Sequence, residues 1–277
     1  MSEILVGVDG SEQSRMALRW AAGSRQAQGS TLRAVTAWQY PAGAGTPAGA
    51  TALRSAEEMG RNALRDLERT ISEVLGEKGG DVRAEVGRGA PGDVLLQRAA
   101  APSVDGLVLG ARGLGGFEGM LLGSVTQRCV ENAPCPVVVV RGDAVVIPPS
   151  RLVVGLDGSD GSRRALDWTI DLARGAGAEV VAVHALGIDA TGEDRRRAEE
   201  QVRGEWSEPL RAAGVSHTVH VEWVDPRTAL IAAAKEDADL VVVGRRGLGP
   251  IRSLLLGSVS GYLVRYAEQP IAVVPTS

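Results

Sequence analysis

Short apolar runs rich in Val, Ile and Leu alternate along the chain with longer stretches in which apolar residues recur every three or four positions. The first pattern suits buried strands and the second suits helices lying on a sheet, so their alternation predicts an α/β chain with parallel strands. In the first half, strands are expected near 3–8, 31–38, 81–87, 105–110 and 136–141, with helices between them. Ser11 is an N-cap candidate for the first helix, which brings Ala17, Leu18, Trp20 and Ala21 toward one face. Ala165, Leu166, Trp168 and Ile170 repeat that stripe, and the paired tryptophans read as core anchors, because large aromatic side chains dominate burial.

The repetition extends to the whole chain. Ile4-Leu5-Val6-Gly7-Val8-Asp9-Gly10-Ser11 returns as Leu152-Val153-Val154-Gly155-Leu156-Asp157-Gly158-Ser159, an offset of 148. Residues 110–125 return as 244–259, identical at 10 of 16 positions, with an offset of 134. The difference of 14 residues falls in the Gly-, Ala- and Pro-rich stretch 39–51, which the second half replaces with the shorter 187–192. Two homologous domains are expected, over 1–143 and 150–277, joined by a linker near 142–150 that contains Pro148-Pro149.

Composition narrows the function. The 277 residues are 44% hydrophobic and 23% charged, with a net charge of −4, and these values suit an ordinary globular protein. The acidic balance and 3% aromatic content argue against a nucleic-acid partner, which calls for a basic patch and stacking rings. Cys129 and Cys135 cannot build a disulfide framework and read as packing thiols in a reducing compartment. The N-terminus meets charge and glycine before a signal-length apolar stretch forms, and the longest apolar runs fall far short of the ~20 residues that span a bilayer. A cytoplasmic location without membrane contact is expected.

Each half carries Gly-x-x-Gly, nine residues, then Gly-Ser, as Gly110, Gly113, Gly123 and Ser124 and again as Gly244, Gly247, Gly257 and Ser258. The segment follows an apolar strand and precedes a helix. Glycines there either cradle an anion on main-chain N–H groups or only make a tight turn, and two copies in one context favour the cradle. Ser124 and Ser258 are placed as N-cap hydroxyls able to face a phosphate. Arg112 and Arg246 either pair with phosphate oxygens or stay solvated. Asp9 and Asp157 close the first strand of each half, where a carboxylate either meets a ribose hydroxyl or a phosphate-bound metal, or bonds the turn that follows it. Neither lysine, Lys78 or Lys235, follows a glycine loop, and no G-x-G-x-x-G follows a first strand. His184, His217 and His220 lack metal-ligand spacing, and no nucleophile is paired with a base, so neither metal nor catalytic residues are assigned.

The strand-Gly-x-Asp-Gly-Ser opening, the doubled glycine segment and the closing Pro136-Val137-Val138-Val139-Val140 strand resemble the nucleotide-binding, tandem form of the universal stress protein family over nearly the whole chain. The resemblance implies two Rossmann-like domains of the adenine nucleotide alpha hydrolase-like type. Each would have a five-stranded parallel sheet of order 3-2-1-4-5 with helices on both faces. It implies ATP, with Mg²⁺, across the strand carboxyl ends. Gly7, Asp9, Ala37 and Trp38 would line the adenosine end, and Gly110, Arg112, Gly113, Gly123, Ser124 and Val125 the phosphates. In the second half the matching residues are Gly155, Asp157, His184, Ala185, Gly244, Arg246, Gly247, Gly257, Ser258 and Val259. Val224 stands where the first half has Gly89, so the second site is expected to be crowded or its turn altered, and Pro250 replaces Gly116.

The resemblance points to a nucleotide-dependent regulator or sensor of the stress response with an unidentified protein partner. The alternative is a slow Mg²⁺-dependent ATPase or phosphotransferase in the same pocket, for which the motifs supply a cradle but no base. Each half ends in an apolar strand on the edge that the expected order leaves open. The two edges are expected to cover one another, with further apolar edge surface making the chain a homodimer.

Overall fold

A computed structural model of the chain describes residues 2–39, 50–115, 121–141, 147–187, 191–248 and 255–276, with the backbone alone at 25–28 and 50–55. In the first half β1 (Glu3–Gly7), β2 (Thr31–Trp38), β3 (Val82–Arg88), β4 (Val104–Gly110) and β5 (Val137–Val140) alternate with α1 (Glu12–Gln28), α2 (Ala50–Leu75), α3 (Pro91–Ala99) and α4 (Ser124–Asn132). The second half repeats the order. β6 (Arg151–Gly155), β7 (Glu179–Ala185), β8 (His217–Glu222), β9 (Leu240–Gly244) and β10 (Ile271–Val274) are its strands. Its helices are α5 (Asp160–Ala176), α6 (Gly192–Gln201), the short α7 (Glu208–Ala212), α8 (Pro226–Lys235) and α9 (Ser258–Tyr266), with a π turn at Val202–Trp206 between α6 and α7. The five expected strands of the first half lie within a residue or two of the observed ones.

The strands form one sheet, in the order β3-β2-β1-β4-β5-β10-β9-β6-β7-β8. The expectation of two sheets is corrected here, because β5 and β10 pair antiparallel, with Ile271 opposite Val139 and Val273 opposite Val137, and fuse the halves. All other pairs are parallel. The edges do cover one another, and the same pairing takes these two strands out of any contact between copies of the chain. Both sides of β5 and β10 are hydrogen-bonded within the chain, so these strands offer no edge to a second copy. The outer strands are β3 and β8, which are mostly half-buried or exposed.

Strand alternation divides the core in two. Ile4, Val6, Val138, Val140, Val154, Ala272 and Val274 face one layer, built largely on α1 and α5, whereas Leu5, Val137, Val139, Val153, Ile271 and Val273 face the other, with α3, α4, α8 and α9. Each layer runs across both halves. Trp20 is almost completely buried, as expected, whereas Trp168 only packs partly against the same core. Cys129 and Cys135 are buried free thiols, and burial pushes each up to about 12, which makes them packing groups. No helix among the described residues is long and apolar enough to cross a membrane. Residues 40–49 of the first-half insertion, 142–146 of the linker, and Gly116 and Pro250 lie outside the described residues.

Val139 is fully buried at the junction. Val139→Asp places an unpaired carboxylate between the two halves, and a loss of about 3–5 kcal/mol is expected. Urea denaturation should show the lower midpoint, and sedimentation velocity a more extended molecule at intermediate urea. An unchanged midpoint would contradict the junction.

Candidate functional site

Both glycine segments leave the carboxyl end of a fourth strand beside the first strand, where the strand order reverses and open α/β sheets accept ligands. The turn after the first strand meets the segment there. Asp9 Oδ1 accepts hydrogen bonds from the Ser11 N–H (3.0 Å) and hydroxyl (2.6 Å), and Oδ2 accepts from the Leu114 N–H at 3.0 Å. Asp157 repeats this with the Ser159 N–H (3.0 Å), the Ser159 hydroxyl (2.5 Å) and the Leu248 N–H (3.1 Å). The carboxylate therefore clasps the segment onto its own turn. Burial works to raise the Asp9 pKa, but hydrogen bonds from Ser11, Leu114 and Ser14 outweigh it and hold the carboxyl below its usual range.

The clasp explains the glycines. A Cβ on Gly113 would collide with Asp9 Oδ2, and one on Gly247 with Asp157 Oδ2. A Cβ on Gly110 would sit 2.7 Å from the main chain of Gln13, and one on Gly244 2.6 Å from that of Gly161, so both strands end against the first turn of a helix. Ser11 and Ser159 cap those helices, their hydroxyls accepting from the N–H groups of Ser14 and Ser162 at 3.2 Å. Gly110 and Gly113 thus permit close packing of protein on protein, which replaces direct phosphate approach as the reason for glycine there.

Two cavities of similar size result, about 480 Å³ in the first half and about 450 Å³ in the second. Gly7, Asp9, Ala37, Gly110, Arg112, Gly113, Gly123, Ser124 and Val125 line the first, and Gly155, Asp157, Ala185, Gly244, Arg246, Gly247, Gly257, Ser258 and Val259 the second. Trp38 and His184 line neither. Successive strand residues point to opposite faces, so Trp38, next to Ala37, turns toward Gly60 of α2 and under Arg88. The strand register also pairs His184 with Thr36, not Ala37. The His184 Nδ1 bonds the Leu156 carbonyl at 2.7 Å, and its ring meets Trp206 edge-on at 5.1 Å.

Ser124 and Ser258 occupy the first helical position, and Gly123 and Gly257 are the N-caps, with no side-chain cap at either helix. The orphan N–H groups of these first turns therefore border the cavities uncapped, a donor set suited to an anion. Apolar side chains line each cavity as well, Val35, Leu95 and Leu109 in one half and Val183, Leu230 and Val243 in the other. These read from sequence as ordinary core, and only the sheet ends turn them toward a cavity. Val224 does not line the second cavity. It alters the turn instead. Gly89 holds φ +133° before an α3 that lacks a side-chain cap, whereas Val224 precedes Asp225, whose carboxylate caps α8 through the Arg227 N–H at 2.9 Å.

Gly113→Ala should break the Asp9–Leu114 bond and lower the thermal midpoint more than Gly115→Ala, which meets open space. Asp9→Asn tests the charge. With its pKa depressed in the fold, Asp9 contributes fully above the usual value of 3.8 and loses that contribution as pH falls through the lower folded value. The variant should be less stable than the parent at pH 7 and indistinguishable from it once the carboxyl is protonated, as read by urea midpoints across pH 2–7. A gap that persists at the acid end would contradict the clasp.

The family model described as "Universal stress protein family" matches residues 1–141 and 149–275. A universal stress protein of Mycolicibacterium smegmatis is 36% identical over 288 residues, covering 98% of this chain and 96% of that protein. One from Mycobacterium tuberculosis is 30% identical over 295 residues, covering 99% and 96%. The crystal structure of a universal stress protein from Archaeoglobus fulgidus superposes with a TM-score of 0.75 over 99% of this chain and 98% of that one, and at 22% identity it speaks for the fold. On two family matches that together span nearly the whole sequence, the chain belongs to the universal stress protein family.

Proposed function

We propose that each half binds an adenine nucleotide, ATP with Mg²⁺, and that the protein is a cytoplasmic, nucleotide-dependent regulator whose loaded and empty forms present different surfaces to a protein partner. The observation that carries this reading is the twofold occurrence of one cavity design, lined both by apolar side chains and by an uncapped helix N-terminus. The apolar side chains suit a purine ring, and the N–H groups of Ser124 and Val125, or of Ser258 and Val259, suit phosphate oxygens. Arg112 and Arg246, each between the two glycines of its segment, add cationic forks for the outer phosphates. Mg²⁺ keeps most of its ligands from phosphate and water and so needs no protein cage, and Asp9 and Asp157 are the carboxylates that line the two cavities.

Binding without fast turnover follows from the same groups. A general base must accept a proton readily, and Asp9, held below its usual pKa by hydrogen bonds, is a poor one. The second cavity matches the first in size and is not lined by Val224, so two nucleotides per chain are expected.

Calorimetry of the full chain with ATP and Mg²⁺ should give a stoichiometry near two, and adenosine should bind at least about tenfold more weakly, because it cannot use the helix N-termini. Nucleotide recovered after an hour should be intact ATP. Equal affinity for adenosine and ATP would remove the phosphate assignment, and recovery mainly as ADP would favour the enzyme.

A further inference from the structure

Two arginines cross from one half to the other, and each ends on the C-terminal carbonyls of a helix whose N-terminus borders a cavity. Arg245 lies inside the second glycine segment, where its N–H donates to the Val274 carbonyl at 2.7 Å and its carbonyl accepts from the Gly257 N–H at 2.9 Å. Its side chain leaves that half, and Nη1 donates to the carbonyl of Ala133, the C-cap of α4, at 2.8 Å. Arg141 follows β5. Its Nη1 donates to the carbonyls of Arg265 (3.0 Å) and Ala267 (3.3 Å), and its Nη2 to those of Val264 and Leu121. Val264, Arg265 and Ala267 form the last turn and C-cap of α9.

The antiparallel junction makes these contacts possible. It sends the strand carboxyl ends of the two halves to opposite edges of the sheet, so the glycine segment of one half faces the helix C-termini of the other. The contacts are not copies of a duplicated residue. At the offset of 134, Ala111 stands where the second half has Arg245, and Pro275 where the first half has Arg141. Two unrelated positions thus make the same kind of contact. The hydrogen bonds of both guanidinium groups among the described residues go to main-chain carbonyls, and burial lowers the pKa of both. Arg141 is held by the last turn and C-cap of α9 together with the Leu121 carbonyl, and Arg245 by the C-cap carbonyl of α4.

We propose that Arg141 and Arg245 are positioning residues, each fixing the phosphate-facing helix of the opposite half so that each nucleotide site is completed from the other domain. The proposal rests on the nucleotide reading above. Each guanidinium holds the C-terminal end of a nine-residue helix, α4 or α9, about 14 Å from the first-turn N–H groups at the other end. The guanidinium also locks the helix along its axis, which sets how far the first-turn N–H groups reach into the cavity.

The test uses the full chain with one cavity silenced, by Ala37→Trp in the first half or Ala185→Trp in the second, and calorimetric ATP binding to the open one. Arg245→Met should weaken the first-half site about fivefold, and Arg141→Met the second-half site by more, since it loses several bonds to α9. Arg245→Lys should restore most of the affinity, because one ammonium can replace a single bond. Arg141→Lys should restore only part, and it stands in for Arg141→Met if that variant does not fold. An arginine that merely stabilised the junction would lower the urea midpoint without touching opposite-half affinity at 25 °C. Opposite-half losses under about twofold in folded variants would overturn the assignment. Absence of ATP binding in both silenced parents would instead overturn the nucleotide reading, and the assignment with it.

Discussion

The pairing of β5 with β10 is the constraint on which the remaining structure depends. Each strand has four residues, all buried, and each would otherwise leave an apolar edge in water. Joining them satisfies that edge without a second chain and makes both hydrophobic layers continuous across the molecule. Because the pairing is antiparallel, it also relates the halves by a rough twofold. That relation brings α1 against α5 on one face and leaves the helices bordering the cavities on the other. The edges that remain are β3 and β8, and their half-exposed pattern is that of ordinary outer strands.

Within each half the ligand end of the sheet is organised by a carboxylate holding a glycine segment. Asp9 and Asp157 have the same three hydrogen bonds, and Gly113 and Gly247 are bare at the point where the carboxylate oxygen lies. The apparent choice between a ligand role and a turn role for the aspartate dissolves in this geometry. By bonding its own turn and the segment together, the carboxylate shapes the cavity that a ligand would enter. Small differences ride on this common frame. Gln13 Oε1 takes the Arg112 N–H at 2.6 Å in the first half, whereas Gly161 stands at that position in the second and lets the Arg246 main chain pass close by.

Much of this was legible from the chain. Strand and helix periodicity located the strands of the first half, the repeat revealed two similar units, and the doubled glycine segment marked the cavity walls. Beyond the fusion of two expected sheets into one, the differences are local and have physical causes. Reading His184 with Ala37 slipped the register by one residue, and in a strand one residue reverses the face, so His184 turned to Trp206 and away from the cavity. Ser124 and Ser258 were displaced by one position because glycine also serves as an N-cap, and sequence alone does not say which of two neighbours leaves the helical backbone first.

Sequence by itself determined the elements, the duplication, the family pattern and about half of the residues that line the two cavities, because these depend on periodicity and on short-range motifs. Only the tertiary structure decided how the halves join, which apolar residues such as Leu95 and Leu230 turn from core to cavity wall, and where the charges of Arg141 and Arg245 go. The joining of the halves and the arginine contacts depend on groups more than a hundred residues apart meeting across the junction, and the cavity walls on strands and helices that meet within one half. Arg245 and Ala133 carry no sign of one another in the chain, and an arginine held by helix carbonyls has no acidic partner whose spacing could announce it.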